Sequence, residues 1–239
     1  MARFSLAALT VLIVLAGCNP VVYVPAPVPV APRTAGLRAG LGGNLAGSQG
    51  LALVEVAPDE GMAIYVRGLY ANTLDGEDGA GTYVHRGGEV GVVVSRPLSS
   101  TVGFDIGLAS GRDDVNATTG VSDIGCCSYS YEPFEARVER LGGHVGLFLH
   151  DGPKNEDWFR LGPALRIQAL TVRERAEERA DTWLFVEPVI RLGFGGGPLE
   201  FQTQAGLSLP ASERFTERYS AIPIIFGATA TVRLDGTGR

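Results

Sequence analysis

The stretch PLEFQTQAGLSLP, residues 198–210, alternates with a period of two. Its odd positions are apolar or Thr (Leu199, Phe201, Thr203, Ala205, Leu207, Leu209), and its even ones are Glu200, Gln202, Gln204, Gly206 and Ser208. Residues two apart lie on one side of an extended chain, so this is a strand with one apolar face and one small or polar face. In a soluble barrel the apolar face turns inward to a core, whereas in a membrane barrel it turns outward to lipid. Which of the two holds depends on the rest of the chain.

The same reading continues on both sides. Ten strand candidates, near 36–46, 50–57, 61–71, 84–95, 101–110, 133–150, 157–173, 182–194, 199–209 and 221–234, are separated by turn residues with no helical insert. The second is the shortest, so the count lies between eight and ten. Most reach about 10 residues, which a tilted strand needs to cross a bilayer, against about 5 or 6 for strands in soluble domains. From the third strand onward the connections alternate in length: 72–83 is long, 96–100 short, 111–132 long, 151–156 short, 174–181 medium, 195–198 short and 210–220 long. Tight turns on one side and long loops on the other suit a barrel in an outer membrane. An even count brings both chain ends to the short-turn side.

The partner face settles the direction. In 101–110, Val102, Phe104, Ile106 and Leu108 alternate with Gly103, Asp105, Gly107 and Ala109, and the last strand repeats the arrangement. Glycine weakens a strand unless space is tight, and space is tight inside a small barrel. The Gly-rich face is therefore the lumen, and the apolar face of 199–209 looks to lipid. Tyr70, Tyr131, Phe134, Trp158, Phe159, Trp183 and Tyr219 fall near strand ends, where interfacial girdles form. The expected fold is all-β, an antiparallel up-and-down transmembrane β-barrel of 8 to 10 strands. In pattern, 36–234 resembles the small outer-membrane β-barrels, the family of the OmpA membrane domain. Such barrels commonly end on an aromatic residue read by the assembly machinery, whereas the last strand here ends at Val232-Arg233-Leu234.

The N-terminus, MARFSLAALTVLIVLAGC, has one positive residue, Arg3, then an apolar run and a small-residue exit, the layout of a secretory signal. Leu15-Ala16-Gly17-Cys18 resembles the lipobox of bacterial lipoproteins, in which the cysteine becomes the lipidated first residue of the mature chain. The resemblance implies a signal peptide over 1–17, a lipidated (palmitate-bearing) Cys18 and, with Asn19 rather than Asp next, sorting to the cell outer membrane. PVVYVPAPVPVAP follows, with five prolines from Pro20 to Pro32. It reads as a semi-rigid extended tether over 18–35 that precedes a barrel domain over 36–239, with both termini periplasmic.

The chain of 239 residues carries 33 Gly and 14 Pro, which argues against a long helical protein, and its net charge of −6 does not suggest nucleic acid. Allowing a bulge near Gly142-Gly143, the alternation turns Arg38, Arg67, Arg137, Arg160, Arg166, Arg191 and Arg233 into the lumen, with Glu89, Asp105, Glu135, Glu139, Glu187 and Glu200. Nearly balanced charges predict a lumen plugged by ion pairs, since a selective pore would carry an excess of one sign. With Cys18 modified, Cys126 and Cys127 remain, and a strained vicinal disulfide, an intermolecular bridge or two free thiols are all open. No histidine or further cysteine lies near them in sequence to complete a metal site, and no cofactor is expected. The function expected is a structural or surface-interaction role. Its partners would be membrane lipid, through Cys18 and the barrel exterior, and an envelope or extracellular protein met through the long loops. Three alternatives stand beside it: a soluble periplasmic barrel holding an apolar ligand, a small pore, and a lipid-modifying enzyme built on His144 and Asp105.

Overall fold

The computed structural model describes residues 20–32, 34–72, 83–122, 129–151, 157–177 and 179–234. Cys18, Cys126 and Cys127 lie outside them. Ten antiparallel strands form a closed ring: β2 (Gly36–Asn44), β3 (Gln49–Asp59), β4 (Met62–Asn72), β5 (Tyr83–Pro97), β6 (Val102–Ser122), β7 (Tyr129–His150), β8 (Asp157–Glu174), β9 (Ala180–Gly196), β10 (Leu199–Leu207) and β13 (Ile224–Arg233). Each pairs with its neighbour along the chain, and β13 closes the ring by pairing with β2 over Arg38–Asn44. Among the described residues there are also three short strands, β1 (Val21–Tyr23), β11 (Leu209–Pro210) and β12 (Ser220–Ala221), a 3-10 turn at Leu45–Gly47 and one α-helix, α1 (Arg214–Arg218).

The connections sort by mouth. At one mouth lie the turns 60–61, 98–101 and 197–198, together with Gly36, Leu234 and the ends of β7 and β8 at His150 and Asp157. Two of these turns use glycine at positive φ, Gly61 at 72° and Gly197 at 58°, a conformation that costs other residues energy. The opposite mouth carries 45–48, the ends of β4 to β9 at Asn72, Tyr83, Ser122, Tyr129, Glu174 and Ala180, and the connection 208–223, which contains α1.

Burial follows the alternation. Leu199, Phe201, Leu207 and Leu209 are exposed on the outer wall, while Glu200, Gln204 and Ser208 are buried in the lumen. Leu41, Leu108, Val145, Leu165, Ile190 and Phe226 continue the exposed apolar band around the ring. The face of 199–209 thus points away from the barrel interior, and the reversed arrangement, an apolar core open to an apolar ligand, is overturned.

Three expectations about the wall are corrected. First, β6 and β7 have 21 and 22 residues, so 111–122 and 129–132 continue the strands rather than forming a loop. Second, β7 has no bulge at Gly142-Gly143: the pairs Ala109↔Gly142, Leu108↔Gly143 and Gly107↔His144 run on without a shift. A one-residue slip exchanges the faces, so Arg140 lies inside and Arg137, Glu135 and Glu139 lie outside. Third, Trp158 and Tyr219 are buried, and Phe134 and Trp183 pack partly buried against the interior rather than joining a girdle; Tyr70 and Phe159 are exposed.

The largest departure is the Pro-rich segment. Residues 22–28, 31 and 32 are buried, and the chain runs through the lumen from one mouth to the other. At the short-turn mouth Pro32 accepts a bond from the Gly61 backbone N–H at 3.1 Å. At the long-loop mouth β1 pairs with β12, and Ser220 donates its N–H to the Pro20 carbonyl at 2.9 Å. Gly36 and Leu234 thus share the short-turn mouth, as an even strand count requires, whereas Pro20 sits at the opposite mouth because the segment before β2 runs back through the lumen. The segment is part of the barrel's core and not a free tether.

Candidate functional site: a lumen closed by the N-terminal segment

A segment with five prolines lacks five backbone N–H groups, yet keeps every carbonyl. Buried carbonyls need donors, and the inward faces of the wall supply them. Asn44 Nδ2 donates to the Pro25 carbonyl at 2.9 Å, Gln49 Nε2 to Val24 at 3.2 Å and Arg160 Nη1 to Ala31 at 2.7 Å. Arg67 Nη1 donates to the Pro27 carbonyl, and His85 Nε2 lies 2.8 Å from that of Val21. In the other direction, the Val28 N–H donates to Gln204 Oε1 at 3.0 Å. Between these bonds the apolar side chains seat in pockets of the wall, Ala26 against Leu51 and Leu69, and Val28 against Ala164, Val189 and Ile225.

Around the segment the charged side chains pair with one another. Arg38 bridges Glu55 and Glu200 at 3.5 and 3.4 Å. Glu89 meets Arg67 at 2.5 Å, Arg140 at 3.3 Å and the Tyr65 hydroxyl at 3.0 Å, and Arg140 continues to Asp113 at 2.9 Å. Arg191 holds Asp105 at 2.9 Å, with His144 Nε2 at 3.5 Å. Arg166 pairs with Glu187, which also accepts the Tyr23 hydroxyl at 2.8 Å and Ser208 Oγ at 2.7 Å. Tyr23 thus ties the segment to the ion-pair network, and its hydroxyl also lies against Gln168.

The lumen is full. A Cβ on Gly107 would come 2.3 Å from the His144 ring, one on Gly146 2.0 Å from Arg191 and one on Gly227 2.8 Å from Pro27, so inward glycines make room for long side chains and for the segment. Three cavities beside the segment, including one against His144, measure about 10 Å³ each, space for one water.

At the long-loop mouth the connection 208–223 folds inward as a cap. Phe215 packs edge-on against Phe185 at 4.9 Å and Trp183 at 5.7 Å, and Phe185 meets Tyr23 at 5.0 Å. Val22, Val115, Val138, Leu170, Val172 and Tyr219 complete this apolar lid. Tyr219 donates its hydroxyl to Glu174, and burial together with that carboxylate raises its phenol above the ordinary range. Outside, above the apolar band, Arg175 pairs with Glu135 at 2.7 Å, Arg173 with Glu139 at 3.4 Å and Arg137 with Asp114 at 3.7 Å.

Of the residues expected in the lumen, Arg38, Arg67, Glu89, Asp105, Arg166, Glu187, Arg191 and Glu200 are brought there buried, and Arg160 and Arg233 lie there half-buried. Arg137 belongs instead to the outer belt, where its side chain is 41% exposed. Sequence reading missed Glu55, Asp113 and Arg140, all buried. Unbroken alternation from His144 back through Gly142 points to Arg140, and the same rule carried from Asp105 through Gly107 and Gly111 reaches Asp113. Among the described residues no group of three His, Cys, Asp or Glu side chains is placed to hold a metal ion. No known family model matches the chain, and no curated protein is significantly similar to it.

Proposed function

We propose that this chain is an integral outer-membrane β-barrel, lipid-anchored through Cys18, with a closed lumen and a structural or surface-interaction role carried by its long-loop mouth. The observation that carries the reading is the exposed apolar band around a ring whose interior is charged and hydrogen-bonded. In water such a band is a large unsatisfied apolar surface; in a bilayer it is the surface that a barrel needs. The β6–β7 ribbon supports contact with a partner, because it carries a mixed-charge outer face beyond the band.

The test is membrane retention of a Cys18→Ala variant exported by a non-lipoprotein signal. Retention in the outer-membrane fraction through an alkaline carbonate wash is expected; release as a folded soluble protein overturns the reading. Planar-bilayer recording of the purified protein is expected to show no steady conductance, and a stable open channel would replace the closed barrel with a pore.

A further inference from the structure

Resting on the membrane-barrel reading and on lipidation at Cys18, we infer that the lipid anchor lies on the long-loop side of the membrane, the face opposite the C-terminus. The chain is followed from Pro32, bonded to Gly61 at the short-turn mouth, to Pro20, bonded to Ser220 at the long-loop mouth. Only Asn19 separates Pro20 from Cys18, so the two Cα atoms are at most about 7 Å apart. That span cannot return the cysteine through the lumen. The β2–β3 corner beside the exit ends low, at Asn44 and Gln49, whereas β6 and β7 run on to Ser122 and Tyr129. At this low rim Leu45 is 70% exposed, and Gly47 packs on Val24, which leaves an apolar edge next to the emerging chain. With long loops outermost, the acyl chains occupy the outer leaflet, and the protein is a surface-exposed lipoprotein that crosses the membrane inside its own barrel.

The seam formed by β13 and β2 has seven paired positions, fewer than any other in the ring. It joins the first and last wall strands and is the natural last closure.

The experiment uses the full chain with one epitope in each of three places: between Asn19 and Pro20, at Ala211 in the capped connection, and at Ser99 in a short turn. Folding of each variant is checked by its mobility shift without heating. Antibody is added to intact and to outer-membrane-permeabilised cells. Expected is full signal on intact cells for the first two tags, with at least a tenfold rise on permeabilisation for the third alone. A tag at Asn19 that needs permeabilisation while the Ala211 tag does not overturns the inference and leaves the membrane barrel standing. Three tags that all need permeabilisation overturn the membrane-barrel reading as well. Should the insertion at Asn19 prevent folding, Pro20→Cys with Cys126→Ser and Cys127→Ser, probed by an impermeant maleimide, reads the same side. Labelling with radioactive palmitate is expected in the wild type and absent in Cys18→Ala; an unlabelled wild type overturns the anchor.

Discussion

The wall and the segment inside it satisfy their backbones in opposite ways. Strand β10 pairs on both edges, to β9 and to β13. The segment 20–32 runs extended with a ladder at β1 and one backbone bond from Gly61 to Pro32, and between them presents carbonyls to side chains. The wall is consequently specified by neighbours in a sheet, which any alternating sequence can join. The segment is specified by the donors of this one lumen. Arginine and proline are complementary here: one brings donors in excess, the other removes competing ones. A proline-rich chain is also cheap to order, because its unfolded ensemble is already narrow.

That contrast can be broken at graded cost. The largest expected effect is in the shared network, where Arg140→Met leaves Asp113 without its guanidinium partner and Glu89 with Arg67 alone. Removal of one partner of a buried pair costs about 3–5 kcal/mol, so a clear loss of stability is expected in denaturant unfolding from micelles. An unchanged midpoint would show that Arg140 is solvated and not locked. On the outer face Val145→Arg puts a charge in the apolar band, and a cost of about 2–4 kcal/mol is expected if the site lies near the bilayer midplane. A neutral result would move Val145 out of lipid. Tyr23→Phe cuts the segment's bond to Glu187 and is expected to cost about 1.5–3 kcal/mol without altering the wall; the check is unfolding with the β-sheet circular dichroism of the native state unchanged. The smallest effect is in the exposed belt, where Arg137→Ala removes a solvent-screened pair, worth about 0–1 kcal/mol. Equal losses for Arg137→Ala and Arg140→Met would restore the bulge that the β7 ladder lacks.

How far the residues announced this structure depends on where the information sits. Period-two alternation is local, and from it the closed all-β barrel, the direction of the apolar face and most of the lumen charges were legible. Arg137 was misplaced because a bulge was allowed at Gly142-Gly143, and face assignment has no tolerance for a one-residue shift. The extent of β6 and β7 was hidden because beyond Ser110 their outer face turns polar, which reads as loop when no membrane face requires leucine. The aromatics failed for a related reason: Trp183 and Tyr219 pack on Phe215 in the cap, a contact between distant segments that strand-end position does not encode. The fate of 20–32 was the least legible. Its prolines fit a solvated spacer and a lumen filler equally, and the choice is made by Asn44, Gln49, Arg67 and Arg160, far along the chain.

The threaded segment is tested most directly by a proximity cross-link between it and the mid-wall. With Cys126 and Cys127 replaced by Ser, Val28→Cys and Ala164→Cys place two thiols in one apolar cluster. A short thiol cross-linker on the folded, full-length protein is expected to give a linked pair of peptides containing positions 28 and 164, recovered by proteolysis and mass spectrometry, and none after denaturation at the same protein concentration. Efficient modification of the thiol introduced by Val28→Cys with a bulky impermeant reagent in the folded barrel, with no linked pair, would place the segment outside the lumen and contradict the account.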